Sequence, residues 1–338
     1  MSKIIKTGLL SFGLSGKVFH APFVNEHKGF ELTAVVERSK KTIKEVYPNV
    51  ISYDSLDAII NDDNIDLIVV NTPNNTHYDF ALQALRAKKH VLMEKPFAIT
   101  SKQAKELYDV AAENNCKILA YHNRRYDSDY LSVKKVLESG DLGKVVEAHI
   151  RFDRYKTDIG PKVAKETATI PGSGITYDLG SHIVDAAISL FGLPVSWHKK
   201  KGYYRENTQV DDFMYAFIEF PNNVHVHVTA SMLVPNPQPS FVVHGTKGTY
   251  IKQRINLQEE QLMAGMQITD VNYGTEPKGV EGELTIAPNE LDRKMIKIPS
   301  EPATYMHIFE AVYQNIVNGK EYPITKEQII KQLEILED

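Results

Sequence analysis

The chain has 338 residues, 39 Lys and Arg against 43 Asp and Glu, a net charge of −4, 42% apolar and 24% charged residues, and a single cysteine, Cys116. That length implies roughly two domains and a core large enough to need no disulfide or metal staple, and the charge balance argues against a nucleic-acid partner. One cysteine excludes an internal disulfide and a multi-cysteine metal site, no apolar run approaches the ~20 residues of a membrane span, and the N-terminus has no signal-peptide apolar region, which together favour a reducing cytoplasm.

The first 121 residues alternate two patterns. Ile4 to Leu10 reads as a buried strand, Lys17 to His27 as a helix, Leu32 to Val36 as a strand, and Lys40 to Tyr47 and Leu56 to Ile60 as helices. Leu67 to Val70 is a buried strand, His77 to Ala87 a helix and His90 to Met93 a strand. Thr100-Ser-Lys-Gln103 is a capping box opening a helix to about Asn114, and Lys117 to Tyr121 closes the set as a strand. Short apolar strands alternating with helices predict an α/β domain over 1–121, a parallel sheet covered on both faces.

Beyond residue 122 the texture changes. Asp127 is placed to cap a helix ending near Ser139, with Gly140 beyond it. Val146 to Phe152, Phe213 to Phe220, Val224 to Ala230, Phe241 to His244 and Thr249 to Lys252 alternate apolar and polar residues, as strands buried on one face do. Gly245-Thr-Lys-Gly248 reads as a hairpin turn. One helix interrupts, Thr176 to Phe191, and two close the chain near 304–318 and 325–338; residues 265–299 are polar and poorly periodic. The expected second domain, 122–338, is α+β with an open, mainly antiparallel sheet. The last helix carries no stop signal, so either a tail follows it or the chain ends in a helix.

Ser11-Phe-Gly13-Leu14-Ser15-Gly16 follows the first strand and opens the first helix, matching G-x-G-x-x-G with Ser11 in place of the first glycine. Gly13 lets the backbone approach a pyrophosphate and Gly16 lets helix and strand pack closely, with the phosphates on the helix N-terminus. Glu37 lies 21 residues beyond Gly16 at the end of the second strand, where an acid takes the ribose 2′-hydroxyl. That leans slightly to NAD, while Arg38 alongside is able to receive a 2′-phosphate and keeps NADP open. Thr72-Pro73-Asn-Asn75-Thr-His77 leaves another strand toward the same edge, as a cofactor loop or a plain helix-capping loop.

Glu94-Lys95-Pro96 follows a strand toward the carboxyl edge, where ligands gather in open parallel sheets. A lysine there stabilises developing charge on a substrate oxygen, and Pro96 keeps Lys95 out of helical conformation. In the interrupting helix, at about 100° per residue, His182 lies about 40° and Asp185 about 20° from Asp178, so all three share one face. A histidine between carboxylates is a proton acceptor, or simply a half-buried hydrogen-bonded histidine. No further ligand at a diagnostic spacing supports a metal on His182, Asp178 and Asp185. Tyr121, Asn123, Arg124, Arg125 and Tyr126 run into the second domain, where they either bind a hydroxyl-rich ligand or pair with acids.

Taken together, the glycine turn with Phe19-His-Ala-Pro22, Thr72-Pro73 and His77, Glu94-Lys-Pro96, Asn123-Arg-Arg-Tyr126 and Asp178 through His182 to Asp185 resemble the Gfo/Idh/MocA oxidoreductases over nearly the whole chain. Tyr121 to Arg125 and Val243-His-Gly-Thr-Lys-Gly248 look most like the subgroup that includes an NADP-dependent scyllo-inositol 2-dehydrogenase. The resemblance implies a Rossmann NAD(P)-binding domain over 1–121 and a C-terminal α/β substrate and oligomerisation domain over 122–338, with Lys95, Asp178 and His182 as catalytic residues, Asp185 as a contact to substrate hydroxyls, and oxidation of a secondary alcohol on a sugar, sugar derivative or cyclitol. It also implies a homo-dimer or higher homo-oligomer through the C-terminal sheet. Three departures stand out: Ser11 for glycine, Glu37 where the NADP-dependent relative lacks an acid, and Ala164 where the subgroup carries tryptophan before a basic residue. A dinucleotide sensor or co-repressor on the same fold, and a reductase of a non-sugar substrate, are the competing expectations.

Overall fold

The computed structural model describes residues 3–160 and 166–337. They divide into two compact units: Met1–Asn123 with Leu262–Thr269 and Tyr305–Ile330, and Arg124–Gln261 with Asp270–Thr304 and Lys331–Asp338. Leu262–Thr269 and Tyr305–Ile330 thus fall with the first unit although they lie far along the chain.

The first unit is built on six parallel strands, β1 (Ile5–Leu9), β2 (Phe30–Val36), β3 (Ile51–Tyr53), β4 (Leu67–Val70), β5 (His90–Glu94) and β6 (Ile118–Tyr121), in the order β3-β2-β1-β4-β5-β6. That is the doubly wound order, with its switch point between β1 and β4. The central strands are apolar throughout because helices cover both faces: Leu67 to Val70 are all buried. The helices are α1 (Ala21–Glu26), α2 (Ile43–Val46), α3 (Leu56–Ile60), α4 (His77–Arg86) and α5 (Ser101–Glu113). Thr100 forms the expected capping box with Gln103 at the start of α5. Strand β3 escaped the sequence reading because it is three residues long and only partly buried.

The late segment joins this unit through aromatic packing. Phe309 stacks on Phe23 at 5.4 Å with ring planes 1° apart and lies 5.8 Å from the Tyr121 ring. Burial of one such ring is worth roughly 1.5–3 kcal/mol.

The second unit starts with α6 (Ser128–Ser139), which Gly140 ends at φ 78° as expected. Asp127 occupies the N-cap position, but its side chain caps nothing; it accepts from Arg124 and Gln258 instead. Eight strands follow: β7 (Val145–Asp153), β8 (Ser196–Gly202), β9 (Phe213–Phe220), β10 (Val224–Ser231), β11 (Phe241–Gly245), β12 (Gly248–Lys252), β13 (Gly282–Ile286) and β14 (Lys294–Ile298). Their order is β14-β13-β12-β11-β7-β10-β9-β8, antiparallel except for the β7–β10 pair, which is parallel. Helix α7 (Ser181–Phe191) lies between β7 and β8 in sequence, and α8 (Leu257–Met263) follows β12. The chain closes with α9 (Met306–Asn318) and α10 (Lys326–Leu336). One face of the sheet carries the core residues Ala148, Ile150, Val226, Val228 and Ile218, while the alternate face carries half-buried His149, His227 and Phe217. No helix of the described residues is long and apolar enough to cross a membrane.

Candidate active site

At the switch point the turn after β1 is clamped to the end of β4. The Ser11 amide donates to Asn71 Oδ1 at 3.0 Å, and Asn71 Nδ2 returns a bond to the Ser11 carbonyl at 2.8 Å. Ser11 Oγ accepts from the Gly13 amide at 3.2 Å, so the serine closes the tight turn with its own hydroxyl. A Cβ on Gly16 would sit 2.2 Å from the Ser11 carbonyl oxygen, which only glycine avoids. The helix that follows opens with a π-helical turn, Gly16–His20, before α1; such wide turns concentrate at functional sites.

Beside this turn lies a cleft of about 730 Å³. Ser11, Gly13, Lys17, Glu37, Arg38, Lys40, Thr72 and Pro73 are among the residues that line it. Leu14, Ser15, Gly16, Asn75, His77, Glu94 and Lys95 do not. The cleft is of the size that binds small molecules, its floor at Gly13 is backbone, and it fits the adenosine half of a dinucleotide.

Glu37 is not free to serve as a simple ribose acceptor. It is buried, and its Oε1 accepts from the Thr42 amide at 2.7 Å, the Thr42 hydroxyl at 3.1 Å and the Ile43 amide at 3.2 Å. Its Oε2 accepts from Ser52 Oγ at 2.7 Å. The carboxylate therefore tethers the start of α2 to β3.

His77 is buried, with Nδ1 2.8 Å from the Pro96 carbonyl and Nε2 2.9 Å from the Thr72 carbonyl. Both ring nitrogens are taken by backbone, so His77 positions the two loops. Burial lowers its pKa, opposed by those two carbonyls. Glu94 Oε1 accepts from Ser15 Oγ at 2.8 Å and lies 2.9 Å from His20 Nε2, while Oε2 accepts the Lys95 amide at 3.0 Å. Burial alone would raise the Glu94 pKa, but the His20 hydrogen bond and charge, with Ser15 and Lys95, hold it at about 2. Glu94 is thus a fixed anion under Lys95, and His20, quoted only within a motif in the sequence reading, is its main partner. Tyr121 is buried and donates its hydroxyl to the Phe19 carbonyl at 2.8 Å, a core role in the first unit. Asn123, also buried, ends that unit.

In the second unit, Asp178 lies in another π-helical turn, Thr176–Gly180, and His182 and Asp185 lie in α7. The turn is wider than the 3.6-residue period used to place the three residues, and residues four apart still fall within about 40° of one another around it. Asp178 lines a polar cavity of about 340 Å³ with Arg154, Lys156, Glu166, Arg205 and Asp211. His182 lines a separate small cavity with Asp185, Arg125 and Arg254. The turn is anchored by Asp211 Oδ2, which accepts from the Thr176 amide at 2.8 Å and hydroxyl at 2.5 Å. Burial raises the Asp211 pKa against those bonds.

Asp185 is gripped by Arg125: Nε donates to Oδ2 at 2.9 Å and Nη2 to Oδ1 at 2.7 Å, both side chains being buried. Tyr126 beside it is pushed up to about 12, chiefly by burial. Arg124 bonds Asp127 and Asn256 at 3.0 Å and Glu259 at 3.3 Å. Both arginines thus pair with acids within the second unit. Ala164 lies outside the described residues. Among the described residues one group has the donor spacing of a metal site, Glu147, His149 and His227 on β7 and β10. Its two imidazoles stack with planes 11° apart, and Tyr215 holds His227 Nδ1.

Comparison with known proteins joins these features. Residues 5–122 match the model of the oxidoreductase family with an NAD-binding Rossmann fold, and residues 130–251 match the GFO/IDH/MocA C-terminal domain. The chain belongs to the GFO/IDH/MocA oxidoreductase family. It is 35% identical to the uncharacterized oxidoreductase YdgJ of Escherichia coli, over all of this chain and 96% of that one. It is 30% identical to scyllo-inositol 2-dehydrogenase (NADP(+)) IolW of Bacillus subtilis, over 98% of this chain and 92% of that one. A crystal structure of a Bacteroides fragilis oxidoreductase, 38% identical, superposes with a TM-score of 0.88 over 99% of this chain and 96% of that one. This GFO/IDH/MocA member is a dehydrogenase with an NAD(P)-binding Rossmann unit.

Proposed function

We propose that the chain moves a hydride between the nicotinamide and a secondary alcohol or ketone of a sugar, sugar derivative or cyclitol. The observation that carries this reading is the polar cavity beside Asp178, whose Arg154, Lys156 and Glu166 offer both signs of charge to a hydroxyl-rich ligand. The name of the Bacillus subtilis relative supports the same substrate class.

When bound, the nicotinamide supplies the hydride acceptor. The turn at Ser11 and Gly13 and the Thr72-Pro73 loop hold the dinucleotide. A ring nitrogen of His182 takes the hydroxyl proton and returns it in the reductive direction. Lys95 Nζ donates a hydrogen bond to the same oxygen and stabilises its alkoxide character. Asp178 orients the substrate by accepting from a neighbouring hydroxyl, and the Arg125–Asp185 pair holds the His182 side of α7 rigid. Self-association through the half-buried face of the eight-stranded sheet accompanies this reading, as does a reducing compartment, supported by the lone cysteine.

The test follows reduced-nicotinamide absorbance with NAD⁺ or NADP⁺ against myo-inositol, scyllo-inositol, glucose and xylose. Turnover should fall roughly 10²- to 10⁴-fold in Lys95→Ala and in His182→Ala. Near-parent kcat in both variants would overturn the assignment.

A further inference from the structure

We infer that Glu147, His149 and His227, on the half-buried face of the second sheet, form a binding site for a divalent transition cation of the zinc class. None of the three lines the cavities that hold Asp178 and His182, so the site stands apart from the proposed reaction and does not depend on it.

The register of the sheet builds the site. Side chains two apart on a strand point to one face. Glu147 and His149 are two apart on β7, and the parallel pairing of β7 with β10 sets His227 beside His149. One donor atom from each of the three lies within 4.8 Å of the other two. Tetrahedral ligands at zinc bond lengths of about 2.0–2.1 Å stand roughly 3.4 Å apart, so small side-chain rotations close the set on one ion.

The donor chemistry fits a transition cation. His149 Nε2 and Glu147 Oε1 already share a hydrogen bond; a cation takes its place while the imidazole proton passes to Nδ1. His227 Nδ1 lies 2.9 Å from the Tyr215 hydroxyl oxygen. With Nδ1–H donating to that oxygen, Nε2 is left for the ion, and Tyr215 supplies the outer hydrogen bond that orients a ligating imidazole. The two rings stack with centroids 4.7 Å apart, which holds both at the site. Two imidazoles and one carboxylate suit zinc and its first-row neighbours, whereas magnesium and calcium call for oxygen ligands throughout. Three protein ligands leave a fourth position to water.

Titration calorimetry of the full chain, stripped with EDTA and desalted, tests the site with ZnCl₂, MgCl₂ and CaCl₂. The expected result is one zinc per chain and no binding of magnesium or calcium. His149→Gln and His227→Gln should each abolish that zinc binding, and Tyr215→Phe should weaken it roughly 10- to 100-fold. His225→Gln, exposed on the same face but outside the group, should bind as the parent does. Unchanged melting temperatures in zinc-free buffer show that the variants fold. A readout on the parent chain needs no variant: the imidazole nitrogen NMR signals of His149 and His227 should shift on zinc addition. Signals that stay in place, or zinc binding that survives in the two glutamine variants, put the ion elsewhere and overturn the site. Absence of zinc uptake by the parent overturns it outright, and magnesium or calcium bound as well as zinc overturns the transition-cation assignment.

Discussion

Single residues carry most of the chemistry, and their roles follow from what their polar atoms already touch. Glu94 is the clearest case. Its folded pKa, about 2, lies below the ordinary glutamate value, so its contribution to stability is complete above that value and is lost as pH falls toward 2. Glu94→Gln should therefore flatten the acid limb of the stability curve between about pH 4.3 and the folded pKa, measured by urea melts at stepped pH. Glu37 has a structural duty of the same kind. Glu37→Gln should lower stability by about 1–3 kcal/mol by exposing unpaired donors at Thr42 and Ser52, while the ratio of NADPH to NADH affinity stays as in the parent. Gly16→Ala forces the Ser11 carbonyl to move from a 2.2 Å contact. It should cost roughly 1–3 kcal/mol and weaken dinucleotide binding, both readable by thermal melts with and without cofactor. The positions of Ser11, Gly13, Gly16, Lys95, Asp178 and His182 were legible as motifs. The acceptors around Glu37 and the carbonyls around His77 were not, because they lie 5 to 19 residues away along the chain with no periodic signature.

Secondary-structure elements were readable in proportion to how much they bury. Strand β4 and helix α5 announce themselves, one by a fully buried apolar run and the other by its capping box. Thr100→Ala should cost about 1 kcal/mol, seen as a lower denaturant midpoint with the slope unchanged. The missed strands β8, β13 and β14 lie at or near the two ends of the second sheet. Strand β8 reads Ser-Trp-His-Lys-Lys-Lys-Gly, and β14 carries exposed Lys294, Met295 and Lys297. Charged edges prevent sheets from pairing with one another, and the same charges erase the alternation by which a strand is recognised. The two π-helical turns, Gly16–His20 and Thr176–Gly180, were equally silent in sequence. Asp178 lies in the second of them and His182 just after it, in α7.

At the scale of the whole molecule, the half-buried face of the second sheet is where the proposed self-association is tested. His227 pairs in register with His149 on one side and Phe217 on the other, all half-buried. Phe217→Asp should convert the expected dimer to monomer in sedimentation velocity; a parent chain that is monomeric would overturn the proposal. The sequence by itself determined the alternation of parallel strands and helices through residue 121, the antiparallel character beyond it and the family to which the motifs belong. These are properties of local periodicity and of turn chemistry that neighbouring residues specify. Only the tertiary structure decided that β7 and β10 run parallel, that Tyr305–Ile330 joins the first unit through Phe309, and that the Glu37 carboxylate serves α2. Those outcomes depend on which distant side chain fills a core gap or reaches a donor first, and a one-dimensional pattern does not encode such competition.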